Sequence, residues 1–375
     1  MMKLNNKKIN VLIPDGECDF IHQVLICLSQ DKNIRVTILS QDKGNPIKFS
    51  RLKSKFYQID KCGAKEWIAV VNEYVRDNEI DLIIPIGHEA IEKILKNRHL
   101  IENKEKLVYL TDTENYDYSL DKALFSSLLN HIKLPHPKTF ILHPNVENGI
   151  THDLKFPLIT KPAKGSGGNG IHKLNSDQEF KEWLNKKAKP VTYVLQEYID
   201  GYDIDCSILS SEGEIIAFTI QKGVSYEKDN FKPPIVLKFC TDNEILRVVK
   251  VLIKSLKWSG VAHIDLRYDF NEKAFKIIEL NGRFWASVEG SLKTNVNFPL
   301  VYCQSALGIY KKKYTYRPII YYRLKGSVKK IIQKPWLIFN LSFIANQTSL
   351  LYCIKDPLPF FLKFYNRTVV KLKGS

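Results

Sequence analysis

The sequence lacks several features that mark particular classes of protein. Its seven cysteines are scattered over 375 residues without a CxxC pair, so neither a disulfide framework nor a zinc site is indicated. Residues 1–8 lack the apolar stretch of a signal peptide, and no apolar run approaches the roughly 20 residues that span a bilayer. No Ser-His-Asp or Cys-His pattern indicates a side-chain nucleophile. These absences favour a cytoplasmic protein whose chemistry does not require a covalent intermediate on a side chain.

Acidic residues are almost missing from the last part of the chain. Residues 306–375 contain 14 Lys or Arg and one acid, Asp356, so they carry +13 of the whole-chain charge of +16. Aromatic residues such as Trp336 and Phe339 lie between the charges. Three interpretations stay open: a subdomain that packs on the rest of the protein, peripheral contact with an anionic membrane, and binding of a polyanionic substrate. Nucleic acid is the least favoured partner, because no recognised motif for it is present.

The amino-terminal part contains apolar strands that alternate with helices. Strands are predicted at 9–14, 34–39 and 80–85, and helices at 19–29 and 67–77. This alternation predicts a parallel sheet. The Asp15-Gly16 turn and His88-Glu89 then lie at the carboxyl ends of strands, where such sheets bind ligands. His88 and Glu89 are candidates for substrate contact, although Glu89 is equally suited to cap a helix.

A strand at 276–284 carries three polar groups on one face. Alternate residues of an extended chain share a face, so Glu279, Asn281 and Arg283 project together. A second strand at 261–269 precedes it, and the two read as a hairpin that places Asp265 across from Glu279 and Asn281. Their side-chain oxygens suit Mg²⁺, and the guanidinium suits phosphate. The alternative is an ordinary solvated hairpin face.

A glycine-rich stretch lies upstream, at 156–173. Gly165, Gly167 and Gly170 have the GxGxxG spacing, but Asn169-Gly170 is a turn dipeptide that leads into another apolar stretch instead of a helix. The pattern therefore predicts strand-loop-strand and argues against a Rossmann site. Such a loop can fold over triphosphate oxygens, while Lys161 on the preceding strand supplies a point charge.

Taken together, these separated motifs resemble the ATP-grasp superfamily, which includes D-alanine ligase, biotin carboxylase and the large subunit of carbamoyl phosphate synthase. The resemblance covers roughly residues 115–308. It implies an α/β and α+β multidomain fold, with a parallel-sheet pre-ATP-grasp domain at 1–112. A two-lobed ATP-grasp domain at 113–308 follows, with lobes of about 113–196 and 197–308. Residues 309–375 form a basic, aromatic carboxyl-terminal segment.

The resemblance also implies roles for individual residues. The nucleotide-binding residues that it implies are Lys122, Lys161, Gly165, Ser166, Gly167, Gly168, Gln196, Glu197, Ile199 and Asp203. Within this set, Gln196 or Glu197 would meet the adenine amino group, the backbone near Ile199 the ring nitrogen, and Asp203 the ribose. The implied metal ligands are Asp265, Glu279 and Asn281. The implied catalytic residues are Arg283, Lys161 and Lys222.

Several of these residues have an alternative interpretation. Taken alone, Lys122 is more typical of an ordinary helix-start residue behind an Asp121 N-cap. Asp205 is an alternative ribose partner to Asp203. His263, on the same strand face as Asp265, reads as a structural histidine whose ring is able to orient a neighbouring carboxylate. Gly282 stands where many relatives have proline, a departure that removes no ligand.

The activity that the resemblance implies is an ATP-dependent ligase of the carboxylate-amine type. ATP and Mg²⁺ are the implied cofactors, with Mn²⁺ as an alternative ion, and small carboxylates and amines are the substrates. A homodimer is common among such proteins. Two alternatives from other classes stay open: an ATP-binding regulatory or assembly protein without turnover, and an ATP-grasp kinase that releases a phosphorylated product.

Overall fold

The computed structural model describes residues 8–144, 153–165, 167–186, 191–226, 233–309, 314–363 and 365. Three sheets, of four, six and four strands, and the helices packed on them organise this part of the chain. We call the four-stranded sheet formed within residues 139–197 the first lobe, and the six-stranded sheet the second lobe.

The amino-terminal sheet is parallel, as the alternating pattern predicts. Its strands are β1 (Ile9–Ile13), β2 (Ile34–Ser40), β3 (Lys55–Gln58) and β4 (Leu82–Ile83), in the order β3-β2-β1-β4. Its helices are α1 (Ile21–Leu28), α2 (Ala64–Asp77), α3 (His88–Lys96) and α4 (Thr113–Asp117). The edge strand β3 escaped prediction because most of its side chains are exposed and show no apolar pattern. Strand β4 is shorter than predicted, and Pro85 cannot donate a further ladder hydrogen bond.

The first lobe is an antiparallel sheet with two helices. Its helices are α5 (Lys122–His131) and α6 (Asp177–Lys186). Its strands are β5 (Thr139–Leu142), β6 (Leu158–Pro162), β7 (His172–Leu174) and β8 (Tyr193–Glu197), in the order β5-β8-β6-β7. β6 and β7 pair from Leu158 opposite Leu174, so the glycine-rich stretch connects two strands, as predicted. Asp121 caps α5, because its carboxylate accepts the N–H groups of Ala123 and Leu124.

The second lobe is a larger antiparallel sheet. Its strands are β9 (Gly201–Ser211), β10 (Glu214–Ser225), β11 (Val236–Cys240), β12 (Gly260–Asp269), β13 (Ala274–Asn281) and β14 (Ile320–Tyr322). They lie in the order β13-β12-β9-β10-β11-β14. Its helices are α7 (Asn243–Ser255), α8 (Val288–Lys293) and α9 (Phe298–Ala306). The predicted hairpin is confirmed, because β12 and β13 pair with Asp265 opposite Glu279.

One apolar core joins the amino-terminal sheet to the second lobe. It runs from β1 and α1 to Phe284 and Trp285, which follow β13 directly. Burial of these two aromatic rings fixes the chain just beyond Arg283. The polar end of the hairpin is thereby held against the carboxyl edge of the parallel sheet.

The carboxyl-terminal segment packs on the second lobe and on the amino-terminal part. Its helices are α10 (Leu324–Gln333), α11 (Leu341–Gln347) and α12 (Leu350–Lys355), with a 3-10 helix at Pro335–Phe339. β14 belongs to this segment and pairs with β11, which places Tyr321 fully inside. Phe343 and Tyr352 are also buried. The segment therefore presents some of its aromatic side chains to the rest of the molecule.

Candidate active site

The paired ends of β12 and β13 bring the predicted polar residues together. The Asn281 side-chain amide donates to an Asp265 carboxylate oxygen at 3.2 Å. Arg283 donates to the Asn281 amide oxygen at 3.2 Å and to the backbone carbonyl of Phe284 at 2.8 Å. A register shift between Asp265 and Leu266 locally breaks the regular pairing of the hairpin. The predicted grouping of Asp265, Glu279, Asn281 and Arg283 is thus present as one connected cluster.

A second carboxylate lies beside Asp265 on the neighbouring strand. Asp205 on β9 is directly opposite Asp265. Burial, with the charges of Asp205 and Glu279, holds the pKa of Asp265 well above its usual range. Burial and the charge of Asp203 raise the pKa of Asp205 to about 7. Acidic groups crowded in this way favour either a bound proton or a cation, so the donor set fits a divalent metal ion.

His263 lies between these two carboxylates. Its Nδ1 is 2.9 Å from the Ser207 hydroxyl, and its Nε2 is 3.3 Å from an Asp265 oxygen. The ring stacks on Trp285 with the ring centres 5.4 Å apart. Burial and the charge of Arg283 lower the pKa of His263 to about 3, so the ring is neutral at physiological pH. A fixed neutral imidazole in this position is able to orient Asp265, and it also offers nitrogen to a cation, together with Asp205 and Asp265.

Two lysines of the first lobe face the hairpin of the second lobe. Lys122 Nζ lies 3.3 Å from a Glu279 oxygen and donates to the Gly165 carbonyl at 2.6 Å. Lys122 therefore both follows the Asp121 cap and reaches the acidic cluster. Lys161 is only 5% exposed on β6. Burial lowers the pKa of Lys161 to about 8, because the nearby charges of Glu279 and Asp265 offset it only in part.

The glycine loop has a backbone that other residues seldom adopt. Gly165, Gly167, Gly168 and Gly170 all have positive φ, at 125°, 75°, 77° and 73°. The glycines are therefore needed for the shape of the turn between β6 and β7. Ser166, predicted to contact the nucleotide, lies outside the described residues.

The two residues predicted to meet the adenine amino group make protein contacts. Gln196 is buried on β8 and donates to the Thr139 hydroxyl at 2.9 Å. Glu197 accepts the Lys138 N–H at 3.0 Å and pairs with Lys276 at 2.9 Å. Lys276 also pairs with Asp269 and Glu272, which makes it a junction between β8 and the hairpin. The sequence analysis assigned no role to Lys276, because the residues around it in the hairpin strand were interpreted only as core positions.

The residues predicted to contact the adenine ring and ribose are both engaged by Arg267. Arg267 donates to the Ile199 carbonyl at 2.8 Å and forms a short ion pair with Asp203. Asp203 also accepts a hydrogen bond from the Tyr226 hydroxyl at 3.3 Å. Arg267 gave no signal in the sequence, because its partner lies 64 positions away on a strand whose register is not evident from the chain.

Lys222 is not part of this cluster. Its ammonium lies 3.1 Å from the centre of the Tyr202 ring. Because neighbouring strand residues point to opposite faces, Gln221 is the residue of this stretch that reaches the cluster, and it donates to Asp205 at 3.3 Å. The catalytic role predicted for Lys222 thus has no support from the placement of its side chain.

The amino-terminal part contributes a third wall. The Arg283 guanidinium lies 4.7 Å from the centre of the Phe20 ring. His88 Nδ1 lies 3.2 Å from the Tyr116 hydroxyl. Burial, with the charges of Arg283 and Lys122, lowers the pKa of His88 to about 3. His88 was a candidate from its place after a strand, whereas Phe20 and Tyr116 had no signal in the sequence.

Asp15 holds this wall in place. Its carboxylate accepts the N–H groups of Ile86 and Gly87, the second at 2.7 Å. Burial holds the pKa of Asp15 well above its usual range, although these hydrogen bonds oppose the shift. The turn after β1 is thereby tied to the start of α3, which positions His88.

The glycine loop of the first lobe and the acidic hairpin of the second lobe thus face each other, with Lys122 in contact with both. Residues 119–287 match the family model described as an ATP-grasp domain. This match confirms the resemblance that the motifs predicted.

Known proteins similar to the chain include enzymes of several kinds. The carbamoyl phosphate synthase large chain of Thermoanaerobacter sp. (strain X514) is 24% identical over 227 residues, 57% of this chain and 20% of that protein. The chain thus matches about a fifth of the length of that relative. The alpha-aminoadipate–LysW ligase LysX of Saccharolobus solfataricus is 23% identical over 240 residues, 60% of this chain and 83% of that protein.

The similarity extends to a solved structure over most of the chain. The L-amino acid ligase from Bacillus licheniformis has a TM-score of 0.64 at 17% identity, over 85% of this chain and 80% of that chain. At this identity the comparison shows the fold. It confirms that the predicted α/β and α+β arrangement, with a parallel sheet before the two lobes, is the fold of a known protein.

Proposed function

We propose that the protein is a Mg-ATP-dependent ligase that activates a substrate carboxylate as an acylphosphate and joins it to an amine. The proposal rests on the proximity of opposite charges. The side chains of Lys122, Lys161 and Arg283 lie close to those of Asp265 and Glu279. Cations for a phosphoryl group and anions for a metal ion are both needed there. The names of the ligases similar to the chain support the same reaction class.

In this proposal the nucleotide lies between the lobes. The backbone of Gly165, Gly167 and Gly168 covers the phosphates, together with Ser166, and Lys122 and Lys161 neutralise their charge. The adenine lies along the end of β8, near Gln196, Glu197 and Ile199, with Asp203 at the ribose. Binding there requires the ribose and Arg267 to share the Asp203 carboxylate, because Arg267 pairs with Asp203 in the structure.

Asp265, Glu279 and Asn281 would hold the magnesium ion. The crowding that raises the pKa of Asp265 is the physical sign that a cation fits these ligands. The ion supplies neutralisation of charge on the phosphate oxygens when it is bound. His263 and Arg283 position the ligands, through Asp265 and Asn281 respectively.

The proposed reaction has two steps. A substrate carboxylate oxygen attacks the γ-phosphorus, the bond to the β-phosphate oxygen breaks, and ADP leaves. The amine nitrogen then attacks the acyl carbon, phosphate leaves with the carbon–oxygen bond pair, and the nitrogen loses a proton. Arg283 and Lys161 stabilise the negative charge on the transferred group, and the loop keeps water from the acylphosphate. His88, neutral and beside Arg283, is suited to contact the acceptor by a hydrogen bond.

The test is Mg-dependent ATP turnover with pooled amino acids and small carboxylates, followed by mass spectrometry. We expect wild-type protein to yield ADP and a new amide mass. Glu279→Gln should lower turnover by at least about a hundredfold, whereas Glu214→Gln, at an exposed glutamate of β10, should not.

Other outcomes would contradict the ligase. A phosphorylated product without an amide would indicate a kinase. Nucleotide binding without turnover against every pool would indicate a regulatory protein.

A further inference from the structure

The carboxyl-terminal segment has one inward face that fixes it to the protein. Tyr321, Phe343 and Tyr352 are buried against the rest of the molecule. Asp356 is 1% exposed, and its carboxylate accepts hydrogen bonds from the Ser50 hydroxyl and the Arg51 N–H. The single acid of residues 306–375 is therefore turned inward, where hydrogen bonds from the amino-terminal part hold it.

The outward side of the same segment is apolar at one corner. The chain from the end of α10 through the 3-10 helix to the start of α11 exposes large side chains one after another. We call this surface the apolar corner; its members are Ile332, Trp336, Ile338, Phe339 and Leu341. Phe339 is 85% exposed and Leu341 79%, although both are residues that ordinarily lie inside a protein. A run of this kind on a surface marks a binding site.

Positively charged side chains lie beside the apolar corner. Lys329 and Lys334 are exposed and Lys330 is half-buried, on α10 and just after it. The Lys334 ammonium lies 6.0 Å from the centre of the Trp336 ring. Since Asp356 faces inward, the described part of residues 314–363 shows no acidic side chain to solvent. The surface thus combines exposed aromatic and aliphatic groups with cations that pair with no acid among the described residues.

We propose that the apolar corner docks the protein on the surface of an anionic lipid bilayer. The interfacial region of a bilayer accepts Trp, Phe and Leu side chains, and anionic headgroups attract lysines at the same depth. None of the helices in the described part of the chain has the length and apolar character that crossing a bilayer requires. The corner therefore lies on the membrane and does not span it. This inference is independent of the ligase reaction.

Two other occupants fit the surface less well. A nucleic acid would match the lysines, but the apolar corner offers almost no hydrogen-bonding group to a base or sugar edge. A second copy of the chain would bring the same cations face to face, because both copies would present the same lysines. An anionic bilayer accommodates the apolar and the charged groups together.

The test is flotation of the full-length protein with vesicles. We expect binding to mixed phosphatidylcholine–phosphatidylglycerol vesicles and little binding to pure phosphatidylcholine, with a loss of binding as salt is added. The triple variant Lys329→Gln, Lys330→Gln, Lys334→Gln should bind roughly a hundredfold more weakly, at about fivefold for each lysine. The variant Phe339→Ser, Leu341→Ser should also lose binding, because its apolar contact is removed.

Matched controls use the same kinds of side chain elsewhere. Lys250, Lys254 and Lys257 are exposed lysines on or just after α7, and their combined change to Gln should leave binding intact. Phe49→Ser, at an exposed phenylalanine of the amino-terminal part, should do the same. Thermal melting of each variant separates loss of binding from loss of folding.

A spectroscopic readout locates the contact. Trp336 is 63% exposed, so its fluorescence should shift to the blue when vesicles are added. Trp336→Phe should lose most of that shift. Equal binding to neutral vesicles, no binding to vesicles of either kind, preferential binding to single-stranded nucleic acid, or a dimer that Phe339→Ser dissociates would each overturn the proposal.

Discussion

Among single residues, Lys161 has the least ordinary environment. It is an ammonium group placed on a buried strand, and burial lowers its pKa to about 8. The protein thereby holds a positive charge at a position with little solvation. The nearby charges of Glu279 and Asp265 help Lys161 to retain its proton. Lys161 should therefore gain more free energy from binding a phosphate than an exposed lysine would, because the phosphate replaces the missing solvation.

We expect the affinity for ATP to fall as the pH rises past about 8, because the uncharged amine no longer attracts phosphate. The limiting fall is about tenfold per pH unit. Lys161→Arg, whose side chain stays charged, should bind ATP with little pH dependence in that window. Calorimetric titration at several pH values measures the effect. A wild-type affinity that does not change with pH would contradict a role for the Lys161 charge.

Sequence reasoning at this scale identified the charged residues better than their partners. Asp265, Glu279, Asn281 and Arg283 could be grouped because strand alternation and one hairpin turn determine their relation. Arg267, Lys276 and Gln221 could not, because each contact depends on the register of strands that are distant in sequence. Lys222 lies on the face of β10 opposite to that of its neighbour Gln221, and its catalytic role stays a prediction.

At the scale of elements, the first residue of β9 lies directly against the backbone of β12. A Cβ added to Gly201 would lie 1.6 Å from the backbone carbonyl oxygen of Tyr268. Any side chain at position 201 would therefore prevent β9 from pairing with β12 at Asp269. Gly282, after β13, is packed in the same way, with Tyr116, Ser119 and Trp258 within 3 Å of an added Cβ.

Gly201→Ala should lower the free energy of unfolding by about 3 kcal/mol, because the strand pair must separate to admit the methyl group. Gly44→Ala provides the control, since an added Cβ there makes only an ordinary contact at 3.4 Å. Urea unfolding of both variants gives the comparison. Similar stabilities for the two would show that β9 shifts freely in its sheet.

Two of the elements that were not predicted, β3 and β14, lie at the edges of their sheets. β3 has four residues and β14 has three, too few to establish an alternating pattern. The hairpin of β12 and β13 is long enough to show both the alternation and the turn. It was predicted at 261–269 and 276–284, whereas β13 begins at Ala274 and ends at Asn281, before Arg283. The division of the chain at residues 112 and 308 stays a prediction.

Across the whole molecule, the two ends of the described chain are joined through Asp356. Its burial acts to raise its pKa, but hydrogen bonds from His22, Ser50 and the Arg51 N–H outweigh this and hold the pKa below the usual value. One carboxylate thus fixes the carboxyl-terminal segment to the amino-terminal part.

Asp356→Asn should lower the free energy of unfolding by about 2 kcal/mol at neutral pH. Because the folded pKa is depressed, this contribution is present above about pH 3.8 and is lost as the pH falls through the folded pKa. The difference between variant and wild type should therefore shrink in acid. Asp60→Asn, at an aspartate that is 94% exposed, is the control for thermal melting. A difference that persists unchanged in acid would assign the effect to packing.

The Lys122 ammonium touches both lobes at once, through the Gly165 carbonyl and the Glu279 carboxylate. A cation at Glu279 would repel Lys122 toward the phosphates, and a phosphate that drew Lys122 away would leave Glu279 open to a cation. The two ligands should therefore strengthen each other's binding reciprocally, by a factor on the order of ten. Lys122→Met should weaken this cooperativity by about tenfold and leave the direct attraction between the ion and the phosphates, which titration of ATP with and without Mg²⁺ would reveal. One side chain then makes the empty site favour the pair of ligands over either ligand alone.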